Sequence, residues 1–254
     1  MSWYAEAKRR NVAQKSDKAP VINRPAAQAM LKGKTGDVAE YAAKQVLAEY
    51  GIAVTQEQLA SSRDAAVAAA QKIGFPVAMK VQSADISHKT EAKAVKLNVA
   101  DAAGVAAAYD EILKNAKAYK ADARIDGVLV QEMVGGGIEA IVGITNDALF
   151  GPAVMFGLGG IFAEVLKDVS FRLAPITPAI AREMVEEIKG YPVLAGARGK
   201  PAADVDALVD ALVKLSALAV DLKDQVAELD INPLIVMTKG KGVKAADALI
   251  RMKD

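Results

Sequence analysis

The sequence predicts an α+β fold with antiparallel or mixed sheets, not a doubly wound parallel one. Two observations carry this. Strand patterns come in neighbouring pairs: Gly127–Met133 and Ile138–Thr145 flank a glycine turn, and Val226–Val236 precedes Val243–Leu249. Helical patterns at Ser61–Ile73 and Asp101–Tyr119 come before the first pair and one at Ala203–Val220 lies between the two, with no internal repeat. The 254 residues, 52% apolar and 25% charged, suffice for one large domain or two modest lobes.

Along the chain, residues 1–35 are polar and basic, with Lys8, Arg9, Arg10, Lys15, Lys18, Lys32 and Lys34, and read as an extension or linker. One short helix is expected in it, around Pro25–Lys32. Asp37–Tyr50 is helical, with Val38, Tyr41, Ala42, Gln45, Val46 and Tyr50 as its apolar pattern and Gly51 as its stop. Ile52–Val54 is a short strand, and Ser61–Ile73 is an Ala-rich helix ending at Gly74. Phe75–Val81 is a buried strand, Val95–Val99 a strand, and Asp101 the N-cap of the helix to Tyr119. Gly135-Gly-Gly137 is read as the turn of a β-hairpin. Pro152–Phe156 is a strand, Val165–Pro175 is extended, and Pro178–Lys189 is a helix.

Lys and Arg number 32 against 31 Asp and Glu, which argues against a nucleic-acid binder. With no cysteine, disulfides, thiolate catalysis and Cys-based zinc are excluded. The N-terminus lacks the apolar core of a signal peptide, and no apolar run is long enough for a bilayer. A cytoplasmic protein with no membrane partner is expected. His88 is the single histidine, so no His-based metal site or Ser-His-Asp triad can use any other residue.

Five segments can carry chemistry. Lys80 sits in an apolar strand, where an unpaired ammonium is costly, so it either meets an anion such as phosphate or faces solvent at a sheet edge. His88 lies in the polar loop Ser83–Val95 with Lys89 and Lys93; a neutral imidazole there can attack phosphorus, or the loop can be ordinary. Phe156-Gly-Leu-Gly-Gly-Ile161 offers Gly159 and Gly160, whose backbone N–H groups can approach phosphate, though it is neither a Walker loop nor G-x-G-x-x-G. Asp230 and Asn232 share one face of a strand whose Leu229, Ile231 and Leu234 are apolar. Two such oxygen donors, with Asp247 as a third, suit Mg²⁺. Last, the strand ending in Gln131-Glu-Met-Val134, with Glu139 beyond the glycines, can present groups to an adenine edge.

The order of these segments resembles the ATP-grasp domain of ADP-forming acyl-CoA synthetases and, more distantly, the β subunit of succinyl-CoA synthetase. The resemblance runs from about Asp37 to Arg251. It is carried by Tyr50-Gly-Ile-Ala-Val54, Gly74-Phe-Pro-Val-Ala-Met-Lys80, Ser83-Ala-Asp-Ile-Ser-His-Lys-Thr90 and Val130-Gln-Glu-Met-Val134. It continues in Phe150-Gly-Pro-Ala-Val-Met-Phe-Gly-Leu-Gly-Gly160, Asp168-Val-Ser-Phe-Arg-Leu-Ala-Pro175 and Glu228-Leu-Asp-Ile-Asn-Pro233.

The resemblance implies two lobes, 36–130 and 131–254, closing over ATP or ADP with Mg²⁺. Lys80 would contact the phosphates, Glu132 and the Val134 backbone would hold the adenine end, and Glu139, Gly159 and Gly160 would line the site. Asn232 and Asp247 would be the Mg²⁺ ligands. His88 would carry phosphoryl, with Asp230 holding its ring. A separate α part would bind CoA and the organic acid, so a CoA-binding partner subunit is implied. Where the family has two glycines after the histidine, this chain has Lys93 and Ala94, which disfavour positive φ and stiffen the backbone. Two other readings are a stand-alone ATP-grasp carboxylate ligase, which needs no histidine carrier, and a non-catalytic ATP-binding regulatory module.

Overall fold

A computed structural model describes residues 22–86, 88–159, 167–197, 199 and 201–253. The elements in order are α1 (Arg24–Leu31), β1 (Asp37–Val38), α2 (Glu40–Glu49), β2 (Glu57–Ala60), α3 (Arg63–Ile73), β3 (Val77–Gln82), β4 (Val95–Val99), α4 (Ala102–Tyr119) and β5 (Gly127–Glu132). There follow β6 (Ile138–Asp147), β7 (Gly151–Leu158), β8 (Val169–Leu173), α5 (Pro178–Glu186), α6 (Tyr191–Leu194), α7 (Val205–Asp221), β9 (Val226–Val236), β10 (Val243–Ala245) and β11 (Ala248–Met252). Local chemistry sets several ends. Ser62 accepts from Ala65 N–H and Asp101 from Gly104 N–H at the starts of α3 and α4. Thr177 caps α5 with Pro178 in its first turn.

The strands form two antiparallel sheets. The small one runs β2-β5-β3-β4; the large one runs β1-β11-β9-β6-β7-β8, with β10 also on β9. The expected α+β class with antiparallel sheets holds. Each sheet buries one face against helices. Val77, Met79, Val81, Val128 and Val130 pack with α3 and α4 in one core. Val142, Ile144, Val154, Phe156, Leu229 and Ile231 pack with α1, α2, α5 and α7 in the other. Among the described residues no helix is long and apolar enough to cross a membrane.

The structure corrects several expectations. Residues from 24 onward are not a solvated arm, because Ala27 and Leu31 of α1 are buried in the large-sheet core; residues 1–21 lie outside the described residues. The lobe expected over 36–130 loses its first helix: Val38, Val46, Leu47, Tyr50 and Ile52 belong to the large core. Asp37–Val38 is a strand paired with β11, not the start of a helix. Val54 makes only an isolated bridge to Ala245, and β2 lies further on, at Glu57–Ala60. Val243–Leu249 is two strands, β10 and β11, with Ala246 and Asp247 between them.

The glycine turn does not close a hairpin. β5 already has β2 and β3 on its two edges, so β6 has no edge to join and enters the other sheet, between β9 and β7. Gly135–Gly137 is therefore the link from the small sheet to the large one. Gly137 lies against β9, and a Cβ there would overlap the Ile235 Cγ2 methyl and sit 3.1 Å from the Val236 carbonyl oxygen. Because that methyl belongs to a branched, nearly buried side chain, Gly137→Ala is expected to cost about 1–3 kcal/mol. A urea-denaturation midpoint measures it.

Candidate functional site

The inner residues of the small sheet face the large lobe. Val77, Met79 and Val81 fill the small core, which turns Lys80 and Gln82 the other way, towards α2 and the Ala246–Asp247 turn. Lys80 is on a central strand, so the solvent-edge reading fails. Its Nζ donates to Glu40 Oε1 at 2.8 Å, to the Ala246 carbonyl at 3.2 Å and to Asp247 Oδ2 at 3.3 Å. The anions that meet this lysine within the chain are therefore two carboxylates. They hold its ammonium well charged: burial works against the charged form, but Glu40 and Asp247 push the pKa above the ordinary lysine value.

A wider polar cluster surrounds this contact. Glu40, fully buried, accepts from Lys44 at 3.0 Å and from Lys89 at 2.8 Å as well as from Lys80. Lys44 also pairs with Glu57, and Gln131 Nε2 donates to Thr55 Oγ1 at 2.6 Å and to the Ala246 carbonyl at 2.7 Å. Burial alone would raise the Glu40 pKa, but Lys80, Lys44 and Lys89 overcome it and hold the carboxyl far below the usual range. Residues from α2, β2, β3, β5 and the β10–β11 turn thus meet at the junction of the lobes. Glu40, Lys44 and Glu57 went unread in the sequence. The available signal was Glu40, Ala43, Lys44 and Leu47 at i, i+3, i+4, i+7: two charges within a buried helical stripe.

His88 stands beside this cluster with its ring 70% exposed, Nδ1 3.8 Å from Glu91 Oε1. It lines a cavity of about 280 Å³ with Lys80, Lys89, Glu91 and Asp247. Residues 88–94 form a tight turn: Ala92 N–H donates to the His88 carbonyl at 3.1 Å and Ala94 N–H to the Lys89 carbonyl at 2.9 Å. Lys93 adopts φ +51°, the conformation that suits glycine. The departure from glycine therefore keeps the turn's geometry and strains it. Lys93→Gly is expected to raise stability by up to about 1 kcal/mol, read as a higher urea midpoint.

On the large sheet Asp230 and Asn232 are both exposed while Leu229 and Ile231 are buried, so they share one face as the alternation predicts. Asn232 N–H donates to the Asp247 carbonyl at 3.2 Å, which sets Asn232 beside Asp247. Partial burial and the Asp247 charge push the Asp230 carboxyl up, and burial pushes Asp247 up despite Lys80. Carboxylates that repel each other beside an amide oxygen form a hard donor set that a divalent cation relieves. Among the described residues no group of three His, Cys, Asp or Glu converges as a metal cage.

Other expected residues have different surroundings. Glu132 Oε1 accepts from Gln56 N–H at 2.7 Å and from Lys244 Nζ at 2.6 Å, pinning β5 to β10. Val134 is half-buried and Glu139 exposed on either side of the glycine link. Gly159 N–H donates to the Glu139 carbonyl at 2.8 Å; a Cβ on Gly159 would lie 3.2 Å from both Cβ and O of Glu139. Gly160 lies outside the described residues. Asp230 lies on β9 of the large sheet with Asp247 as its charged neighbour, and the carboxyl beside the histidine is Glu91 of its own turn. A second cleft, about 540 Å³, lies between Gln28, Lys34, Asp224 and Lys253 and contains none of these residues.

Residues 29–252 match the ATP-grasp domain family. The chain is 50% identical over 226 residues to the β subunit of ADP-forming acetate–CoA ligase II of Pyrococcus furiosus, spanning 89% of this chain and 95% of that one. The chain belongs to the ATP-grasp family of ADP-forming acyl-CoA ligase β subunits. Two solved structures of acetyl-coenzyme A synthetase 1 from Ca. Korarchaeum cryptofilum agree with this. One, in complex with coenzyme A and Ca-AMPCP, superposes with TM-score 0.85 at 40% identity, covering 91% of this chain and 99% of that chain. The other, with coenzyme A and Mg-AMPPCP and its phosphohistidine segment pointing towards the nucleotide binding site, gives TM-score 0.78 at 37% identity, covering 89% and 100%. An ATP-grasp β subunit is a nucleotide-binding part of a ligase complex, and its designation implies an α subunit.

Proposed function

We propose that this chain performs the nucleotide half of an ADP-forming acyl-CoA ligation: acid, CoA and ATP in equilibrium with acyl-CoA, ADP and phosphate. A CoA-binding α subunit would supply the acid and CoA chemistry, in the cytoplasm. One observation carries the reading: Lys80, Lys89, His88 and Asp247 line a single cavity at the lobe junction. A nucleotide laid between the lobes would put its phosphates against Lys80 and Lys89. Glu132, Val134 and Glu139 border the glycine link and would receive the base end, with Gly159 and Gly160 behind it.

Asn232 and Asp247 would hold Mg²⁺, which when bound neutralises phosphate charge. The chain's own part is orientation and charge. Lys80 donates to an oxygen of the transferring group in place of its longest present contact, Asp247. The neutral His88 ring forms an N–P bond as the bond from phosphorus to the ADP oxygen breaks, so ADP leaves and phosphohistidine remains. In the reverse direction ADP takes the group back. Asp230 would orient the ring once the histidine turn has moved towards β9.

The test is incubation of the purified chain with Mg²⁺ and γ-labelled ATP, with and without a candidate α subunit. Acid-labile, base-stable label on His88 that ADP chases into ATP is expected. Absence of label in both incubations, with ATP bound, contradicts the relay.

A further inference from the structure

We propose that Glu40 is a positioning residue: through Lys89 it tethers the histidine turn to the large lobe, and through Lys80 it sets the phosphate-facing ammonium beside that turn. The two oxygens divide the work. Oε1 takes Lys80 at 2.8 Å and Lys44 at 3.0 Å, while Oε2 takes Lys89 at 2.8 Å. Among the described residues Lys89 is the partner of Oε2, and Glu40's side chain is 0% exposed. Without Lys89 that oxygen would be buried and unpaired, which is costly. Asp247 Oδ2, 3.8 Å from Lys89, is an ion-pair neighbour beyond hydrogen-bond reach, so the hydrogen bond that holds Lys89 is the one to Glu40.

The tether has a direction. Glu40 begins α2, and Ala43, Val46 and Leu47 of that helix are fixed in the large core. Lys80 comes from the small sheet, and Lys89 follows His88 directly and accepts, at its carbonyl, the N–H of Ala94 that closes the turn. One carboxylate therefore spans large lobe, small lobe and histidine turn. Lys44, with Glu57 as a second partner, holds the carboxylate in place from within α2.

Only the catalytic consequence rests on the phosphoryl-relay reading; the tether itself does not. The test is amide hydrogen exchange of the full nucleotide-free chain as Lys89→Gln. Ala92, Lys93 and Ala94 amides are expected to exchange about tenfold faster, with α4 amides from Val105 to Ala116 unchanged. Unchanged exchange at residues 92–94, or an equal rise in α4, overturns the tether. Glu40→Gln, where it folds, extends the test to the reaction. Its rate of label formation on His88 is expected to fall more than about tenfold while the Mg–ADP dissociation constant moves less than about threefold, since Glu40 acts through lysines and not on the ligand. Equal changes in both overturn the positioning role. A wild-type chain that takes no label fails the relay reading, and the exchange result still decides the tether.

Discussion

Lys80→Met is expected to lower kcat/KM for the nucleotide by at least about 10³, with both binding and transfer affected. Its three N–H donors are spent on Glu40, the Ala246 carbonyl and Asp247, so the ammonium is fixed in place before any ligand arrives. A fixed cation stabilises a phosphoryl group without reorganising during transfer, and a thioether supplies neither charge nor donor. Stability should fall too. Lys80 is 11% exposed at its side chain, and its loss leaves Asp247 and Glu40 facing each other with Lys89 and Lys44 as their remaining cations. Breaking a buried pair costs about 3–5 kcal/mol, and the exposure here brings the expectation to about 2–4. Calorimetric titration with Mg–ADP and a urea melt measure the two effects. Loss of stability with nucleotide affinity and rate intact would make Lys80 an internal counter-ion for Glu40 and nothing more.

The residues that sequence reading found are those whose surroundings contradict their chemistry. Lys80 stands out because Val77, Ala78, Met79 and Val81 around it are apolar, and Asp230 and Asn232 because strand alternation puts them together opposite Leu229 and Ile231. Glu40 and Lys44 were hidden by the converse rule. On a helix, charges are taken as the solvent face, so the pattern points Tyr41, Ala42 and Gln45 inward with Val46 and Tyr50, whereas Glu40 and Lys44 are buried and those three only half-buried. Only the three-dimensional meeting of α2, β2, β3, β5 and the β10–β11 turn explains why an ion pair is retained there. Sheet membership was illegible for a different reason. A glycine turn reports that the chain turns, and it does not report whether the next strand finds an edge; with β5 flanked on both sides, β6 had to leave. Likewise Gln56-Glu-Gln-Leu-Ala60 lacks β-branched residues, and β2 exists as an edge strand held by β5.

His88→Ala is expected to abolish label on the chain and to lower the complete reaction with the α subunit by at least about 10⁴, since a covalent carrier has no partial substitute. Folding should be untouched. The ring is 70% exposed and the carboxyl beside it is an equally exposed Glu91 at 3.8 Å, so the change in stability is expected within about 0.5 kcal/mol. That separation gives the substitution its force: any loss of rate reflects chemistry and not unfolding. Mg–ADP affinity should also persist, because Lys80, Lys89 and Asp247 keep their places without the imidazole. A stand-alone ligase that forms a free acyl phosphate behaves differently, retaining its rate in His88→Ala and never showing acid-labile label. A phosphohistidine borne by the α subunit that reaches the nucleotide by itself gives a third pattern, with label on the α subunit and full turnover despite the substitution. Stability, nucleotide affinity, label position and turnover of this one variant together assign the phosphoryl carrier.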